Sequence, residues 1–273
     1  MTGASGGLGK ELALQFAECQ VNQLVLSGRN QEALQLVAQE CQEVCPSIKT
    51  HVVTCDLSDR HSVQSLGEQA LALCDTIDVL VNNGGVSSRS DFVDTKLDVD
   101  EKVMQINFFA GASLAKAVVP NMLTNGSGKI IWISSVQGLI GIPSRTSYAA
   151  SKFAVQGYAE SLRAELASSG VGVHVVSPGY IRTNLSRSAL TGDGTAHGKM
   201  DETTAKGKPP KEVAVSLLDS VTKGQGDIIV ATTVSAKIAI WLRFLFPALL
   251  QKILVSRYDK SKKIPQEDKP KED

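Results

Sequence analysis

Short apolar runs alternate with stretches of helical period along most of this chain, and that alternation leaves little choice of architecture. Residues 23–27, 51–55, 77–81, 129–133, 172–176 and 227–230 read as buried strands, and helices are expected over 9–19, 31–44, 62–74, 100–123 and 147–168. Parallel strands separated by helices require right-handed crossovers, so the expected fold is α/β, a doubly wound parallel sheet. A chain of 273 residues with 42% hydrophobic content can bury one substantial core. We expect one catalytic domain over 1–233, then amphipathic helices over 234–258 and a disordered charged tail over 259–273.

Charge and cysteine content narrow the class. The 28 basic residues balance 28 acidic ones, so no global field draws the chain to nucleic acid. Five scattered cysteines suit free thiols in a reducing compartment better than a disulfide framework. Cys41 and Cys45 share a helical face, but no other Cys or His stands at metal spacing, and no metal site is expected. The opening residues are not expected to act as a secretory leader.

Chemistry concentrates in a few positions. Thr2-Gly3-Ala4-Ser5-Gly6-Gly7-Leu8-Gly9 reads as a strand-to-helix turn that receives a dinucleotide pyrophosphate. There Gly3 permits the sharp turn, Gly7 lets the backbone approach a phosphate, and Gly9 lets the helix sit close to the sheet, while the helix N-terminus favours the anion. Tyr148 and Lys152 lie four apart on a helix and project from one face. Ser135 stands at a strand end, where its hydroxyl can bond a substrate oxygen as charge develops. A phenol with an ordinary pKa of about 10 is expected to be lowered by an adjacent ammonium and an oxidised nicotinamide, which makes Tyr148 the proton donor to a ketone or acceptor from an alcohol.

The spacing T-G-x-x-x-G-x-G, the Asn82-Asn83-Gly84-Gly85 element after a strand, and the ordered set Asn107, Ser135, Tyr148 and Lys152 together resemble the short-chain dehydrogenase/reductase family. The stretches SSVQGLIGIP, SPGYIRTNLS and MDETTAKG resemble its dehydrogenase/reductase member 7 and 7B branch. The resemblance implies a Rossmann-like sheet with Asn107, Ser135, Tyr148 and Lys152 as the catalytic tetrad, Asn107 orienting a water and Lys152 holding the nicotinamide ribose. It implies cofactor contacts at Thr2, Gly3, Ser5, Gly7, Leu8, Gly9, Asp56, Leu57, Asn83, Pro178, Gly179, Ile181 and Thr183. Substrate would meet Ser135, Tyr148 and Tyr180 beneath a mobile lid over 180–211, a stretch that is otherwise a disordered insertion. It also implies a homodimer through the helices at 100–123 and 147–168, and association with endoplasmic reticulum or peroxisomal membranes.

Two readings concern specificity. No acid ends the second strand of such a fold, and Arg29 follows Gly28, so NADP(H) is expected, with the cation meeting a 2′-phosphate. The apolar stretch 138–143 favours a lipophilic carbonyl: by resemblance a steroid, a retinoid, or an acyl or alkyl dihydroxyacetone phosphate type ketone. A catalytically impaired nucleotide-binding scaffold or membrane-bound partner protein is the alternative. The apolar segment 236–257 is interrupted by Lys237, Arg243 and Lys252 and broken at Pro247, so two amphipathic helices are expected there, meeting either a lipid interface or protein.

One expected element has almost no residues. The strand that should enter the glycine turn is central in such sheets, yet only Met1 precedes Thr2. Each buried side chain in it would contribute about 1.5 to 3 kcal/mol, against the ~5 to 15 kcal/mol of a whole domain. The expectation is therefore that a preceding apolar strand, and by resemblance an anchor, belong to the protein, and that without them cofactor binding and solubility are weak.

Overall fold

Alternate residues of one central strand face opposite layers, and this arrangement organises the chain. In β4 (Gly128–Ile133), Ile130 and Trp132 join a core beneath one sheet face while Ile131 and Ile133 join the core beneath the other. Both faces are covered, as an all-parallel sheet requires. The computed structural model describes residues 1–263.

The remaining strands are β1 (Gln23–Gly28), β2 (Lys49–Thr54), β3 (Val79–Asn82), β5 (Val171–Pro178) and β6 (Asp227–Val230), every pairing parallel. They form two hydrogen-bonded groups, β1-β2 and β3-β4-β5-β6. Met1 and Thr2 lie between them: Ser27 N donates to Met1 O at 3.0 Å and Thr2 N donates to Val81 O at 3.0 Å. The position expected for the first strand is thus held by these two residues, with Thr2 buried at 4% exposure.

The helices follow from caps and apolar stripes. α1 (Gly7–Glu18) and α2 (Gln31–Val44) pack on one another, and Asn30 caps α2 by accepting from Ala33 N at 2.9 Å. α3 (Arg60–Leu73) starts two residues before the expected boundary because Asp59 caps it, accepting from His61 N and Ser62 N. The single long helix expected over 100–123 is α4 (Leu97–Met104), a π-helical turn (Gln105–Phe109) and α5 (Ala110–Asn125), closed by Gly126 at φ 64°. Among the described residues this run is the one long and apolar enough to cross a membrane, and half of its apolar window is buried. α6 (Thr146–Glu165) carries Tyr148 and Lys152.

Residues 180–209 are mostly irregular, with a one-turn α7 (Glu202–Ala205), and they are held to the body where Leu190 N donates to Ser87 O and Arg89 N donates to Leu190 O, both at 2.8 Å. α8 (Pro210–Thr222) is a helix the sequence reading does not name; Pro210 occupies its first turn, where the missing N–H costs nothing, and Val213, Leu217 and Val221 are buried. A second compact unit begins at Thr233. It contains α9 (Val234–Leu245) and α10 (Pro247–Lys263), so residues 259–263 of the expected disordered tail are helical, while 264–273 lie outside the described residues.

Candidate active site

The glycine turn opens a cavity of about 430 Å³ at the C-terminal ends of the strands. Thr2 fixes the turn: its hydroxyl accepts from Asn83 N at 3.1 Å and from Gly84 N at 2.9 Å, while the Asn83 amide donates to Thr2 O and Gly3 O at 3.0 and 3.1 Å. Asn83 therefore clamps the turn as well as lining the cavity. Gly9 could not be another residue, because a Cβ there would sit 2.0 Å from Gly3 O.

The first turn of α1 has no side-chain cap, and a Cβ on Gly6 would meet nothing within 4 Å. Free helix N–H groups beside open space fit an anionic pyrophosphate. Thr183 stands over this point, its Cγ2 3.2 Å from where a Gly7 Cβ would lie. Ser5, Leu8, Arg29, Asp56, Leu57, Pro178, Gly179 and Ile181 line the same cavity. Asp56 accepts from Ser58 N and Ser58 Oγ at 2.9 and 2.8 Å, and these bonds hold its carboxyl below the usual range.

Ser135, Tyr148, Lys152 and Tyr180 line the cavity as well. The Ser135 side chain stands near enough to the Tyr148 phenol to lower its pKa, and the Lys152 ammonium lies 5.6 Å from the Tyr148 ring centre. Lys152 donates to Ile133 O at 2.8 Å and has its pKa pushed down to about 8 by burial. Tyr148 departs from expectation. Burial is the largest influence on its phenol and raises the pKa, opposed by the Ser135 side chain and the guanidiniums of Arg89 and Arg145.

Asn107 does not line the cavity. It sits in the π-helical turn, accepts from Val86 N at 2.8 Å and donates to Val86 O and Ser151 Oγ, both at 2.9 Å, so its side chain braces the wall behind Lys152. The apolar stretch 138–143 is not part of the lining either. Gly138 packs on α6, where a Cβ would stand 2.7 Å from Lys152 O, and Val136 with Gln137 takes its place. An unexpected group borders the pocket: Arg89 donates through Nε to Asp201 at 2.9 Å, and Arg145 NH2 lies 3.6 Å from the same carboxylate. No local pattern announces a contact across 112 residues.

Residues 1–193 match the family model described as short chain dehydrogenase. The chain belongs to the short-chain dehydrogenase/reductase family. It is 45% identical over 261 residues to Dehydrogenase/reductase SDR family protein 7-like of Drosophila melanogaster, covering 94% of this chain and 79% of that protein. It is 42% identical over 268 residues to Dehydrogenase/reductase SDR family member 7B of Xenopus tropicalis, covering 97% and 86%. Among solved structures, a Sphingobium yanoikuyae short-chain dehydrogenase in complex with NADPH matches with TM-score 0.73 and 24% identity over 99% of this chain and 97% of that one. A Burkholderia phymatum short chain dehydrogenase/reductase in complex with NAD matches with TM-score 0.78 and 23% identity over 91% and 93%. At such identities the structural likeness is one of fold, and the short-chain dehydrogenase/reductase is an oxidoreductase whose cleft suits a nicotinamide dinucleotide.

Proposed function

We propose that this oxidoreductase uses NADP(H) to interconvert a ketone and a secondary alcohol on a lipophilic substrate: a steroid, a retinoid, or an acyl or alkyl dihydroxyacetone phosphate type ketone. One observation carries the reading: a buried phenol, a strand-end hydroxyl and a buried ammonium line the same cavity that begins at the glycine turn. The bound nicotinamide supplies or accepts hydride. Ser135 donates to the substrate oxygen, Tyr148 gives that oxygen its proton in reduction and takes it back in oxidation, and Lys152 stands close enough to stabilise the phenolate left behind. The burial of Tyr148 and Lys152 keeps bulk water from the transfer.

Preference for the 2′-phosphate rests on Arg29, exposed at the end of β1 where Ser27, Gly28 and Asn30 provide no acid. We further propose a homodimer through α4, α5 and α6, and a peripheral contact of α9 and α10 with membranes of the endoplasmic reticulum or peroxisome. The reaction is tested by following NADPH consumption with a panel of lipophilic ketones. Turnover that falls by about a hundredfold or more in Tyr148→Phe, with NADPH still bound, supports it. Cofactor binding with no turnover in the unaltered protein refutes it in favour of a nucleotide-binding scaffold.

A further inference from the structure

A carboxamide stands in the cavity wall with its bonding capacity unused. Gln137 lines the cavity together with Ser135 and Tyr148, and its Oε1 is buried without a hydrogen-bond partner among the described residues. An oxygen left unpaired in this way carries its full cost of desolvation. Gln156 on α6 shows the ordinary solution, since its amide donates to Ser177 Oγ at 2.7 Å and to Ser134 Oγ at 3.4 Å.

The turn that carries Gln137 is fixed without help from its side chain. Ser135 Oγ accepts from Gln137 N at 3.1 Å and Ser135 O accepts from Gly138 N at 2.8 Å, which closes a 3₁₀ turn over Val136–Gly138. Gly138 is wedged against α6, where a Cβ would stand 2.6 Å from Ser134 Oγ and 2.7 Å from Lys152 O. The bond from Gln137 N also fills an acceptor position on Ser135 Oγ and leaves the serine O–H to donate to the reacting oxygen. One short turn thus presents Ser135 to the carbonyl and the Gln137 amide to what lies beside it.

The missing partner has a definite chemistry. A carboxamide oxygen accepts, so the ligand must donate. A cationic donor is opposed by the Lys152 ammonium and the Arg89 guanidinium, which line the same cavity. An ionised acid has no proton to give. A neutral hydroxyl meets the requirement, and the broad, nearly two-fold final torsion of glutamine lets the amide turn to meet it.

We infer that Gln137 is a specificity residue whose carboxamide accepts a hydrogen bond from a hydroxyl on the carbon beside the reacting carbonyl, so that the preferred substrate is a lipophilic hydroxyketone and its product a vicinal diol. The inference rests on the ketone/alcohol reading of the site and narrows its substrate class. A ketone with only hydrogen at that carbon leaves Oε1 unpaired, and an ether there accepts but cannot donate, so both bind less well.

The test uses the full chain loaded with NADP⁺, with which a ketone is not reduced, and three long-chain ketones alike except at the terminal carbon beside the carbonyl, which bears a hydroxyl, a methoxyl or hydrogen. The methoxyl and hydrogen arms bracket the hydroxyl in size, so bulk alone cannot favour it over both. Calorimetric affinities are expected to favour the hydroxyketone over each of the others by about tenfold, the range of one neutral hydrogen bond to an otherwise unpaired group. Gln137→Leu should bring the three ligands within about twofold of one another. Should that variant fail to fold, Gln137→Met makes the same comparison, and equal affinities in the unaltered protein overturn the inference without either variant. Binding of none of the three, or a ratio unchanged in Gln137→Leu, overturns it as well. Turnover of the same ketones with NADPH reports separately on the reaction: hydroxyl-selective binding without turnover removes the reductase reading alone, and turnover without hydroxyl preference removes only the role of Gln137.

Discussion

The Lys152 ammonium donates to the carbonyl oxygen of Ile133 at 2.8 Å, a neutral acceptor, and the lysine is only 4% exposed. Burial without a carboxylate partner pushes its pKa down to about 8 from 10.5. The folded state therefore releases this proton near pH 8 while the unfolded chain keeps it to about 10.5, so between those values the unfolded chain binds more protons and stability rises with pH. Without cofactor, the native protein should gain about 2 kcal/mol relative to Lys152→Met between pH 8 and pH 10. Urea unfolding of both proteins at each pH reads the difference, which also cancels the opposing contributions of the buried cysteines. Parallel pH profiles would remove the account.

Two glycines in the turn separate stability from binding. A Gly9 Cβ would stand 2.0 Å from Gly3 O and 2.6 Å from Asn83 Nδ2, and neither can yield without breaking the clamp on the turn. Gly9→Ala should cost about 2 kcal/mol or more in denaturant unfolding and abolish cofactor binding. Gly6→Ala should leave unfolding within about 0.5 kcal/mol, since its φ of 174° suits any residue and nothing lies within 4 Å, yet it should weaken NADPH because the methyl enters the pyrophosphate space.

The proposed preference for NADP(H) is tested at Arg29. Arg29→Ser should weaken NADPH by about tenfold and change NADH by less than about twofold, as expected for loss of one exposed charge-assisted contact. Fluorescence titration with each cofactor measures it; equal losses would show that Arg29 does not read the 2′-phosphate.

The order of strands and the span of α2 were legible because Asn30 caps a regular apolar stripe, and such signals are local. The convergence of Ser135, Tyr148 and Lys152 was legible through strand-end and helix-face placement. α8 was not, because a Pro pair marks a helix start as well as a break until Val213 and Leu217 are seen to be buried. Nor was the direction of the Tyr148 shift, which depends on how much solvent the whole fold removes. The Arg89 to Asp201 pair and the side-chain role of Asn107 come from chain reversals that leave no periodic trace.

Asp201 ties residues 180–209 to the body through Arg89, with side-chain exposures of only 20% and 10%. Asp201→Asn leaves two guanidiniums without their shared countercharge and should cost about 3 kcal/mol. Hydrogen exchange localises the effect: the amides of Arg89 and Leu190, bonded across this junction, should lose protection while those of β4 and β5 keep theirs. Uniform loss of protection would instead mark global destabilisation.

The helices α9 and α10 present a different surface. Trp241, Phe244, Leu245 and Phe246 are 59 to 67% exposed, and Lys237, Arg243, Lys252 and Arg257 accompany them with no acidic residue from Thr233 to Tyr258. Exposed aromatics beside cations, in a segment that carries no acidic residue, favour an anionic lipid surface over a protein partner, because lipid accepts the rings at any register while headgroups meet the charge. The protein should co-sediment with vesicles rich in an anionic lipid and much less with zwitterionic ones. Trp241→Ser with Phe244→Ser should lower the bound fraction by about tenfold or more, each ring contributing roughly 1.5 to 3 kcal/mol of burial. If both vesicle types bind equally, or the double variant binds as the native chain does, this face serves a protein contact instead, and dimer dissociation in the same variant would identify it.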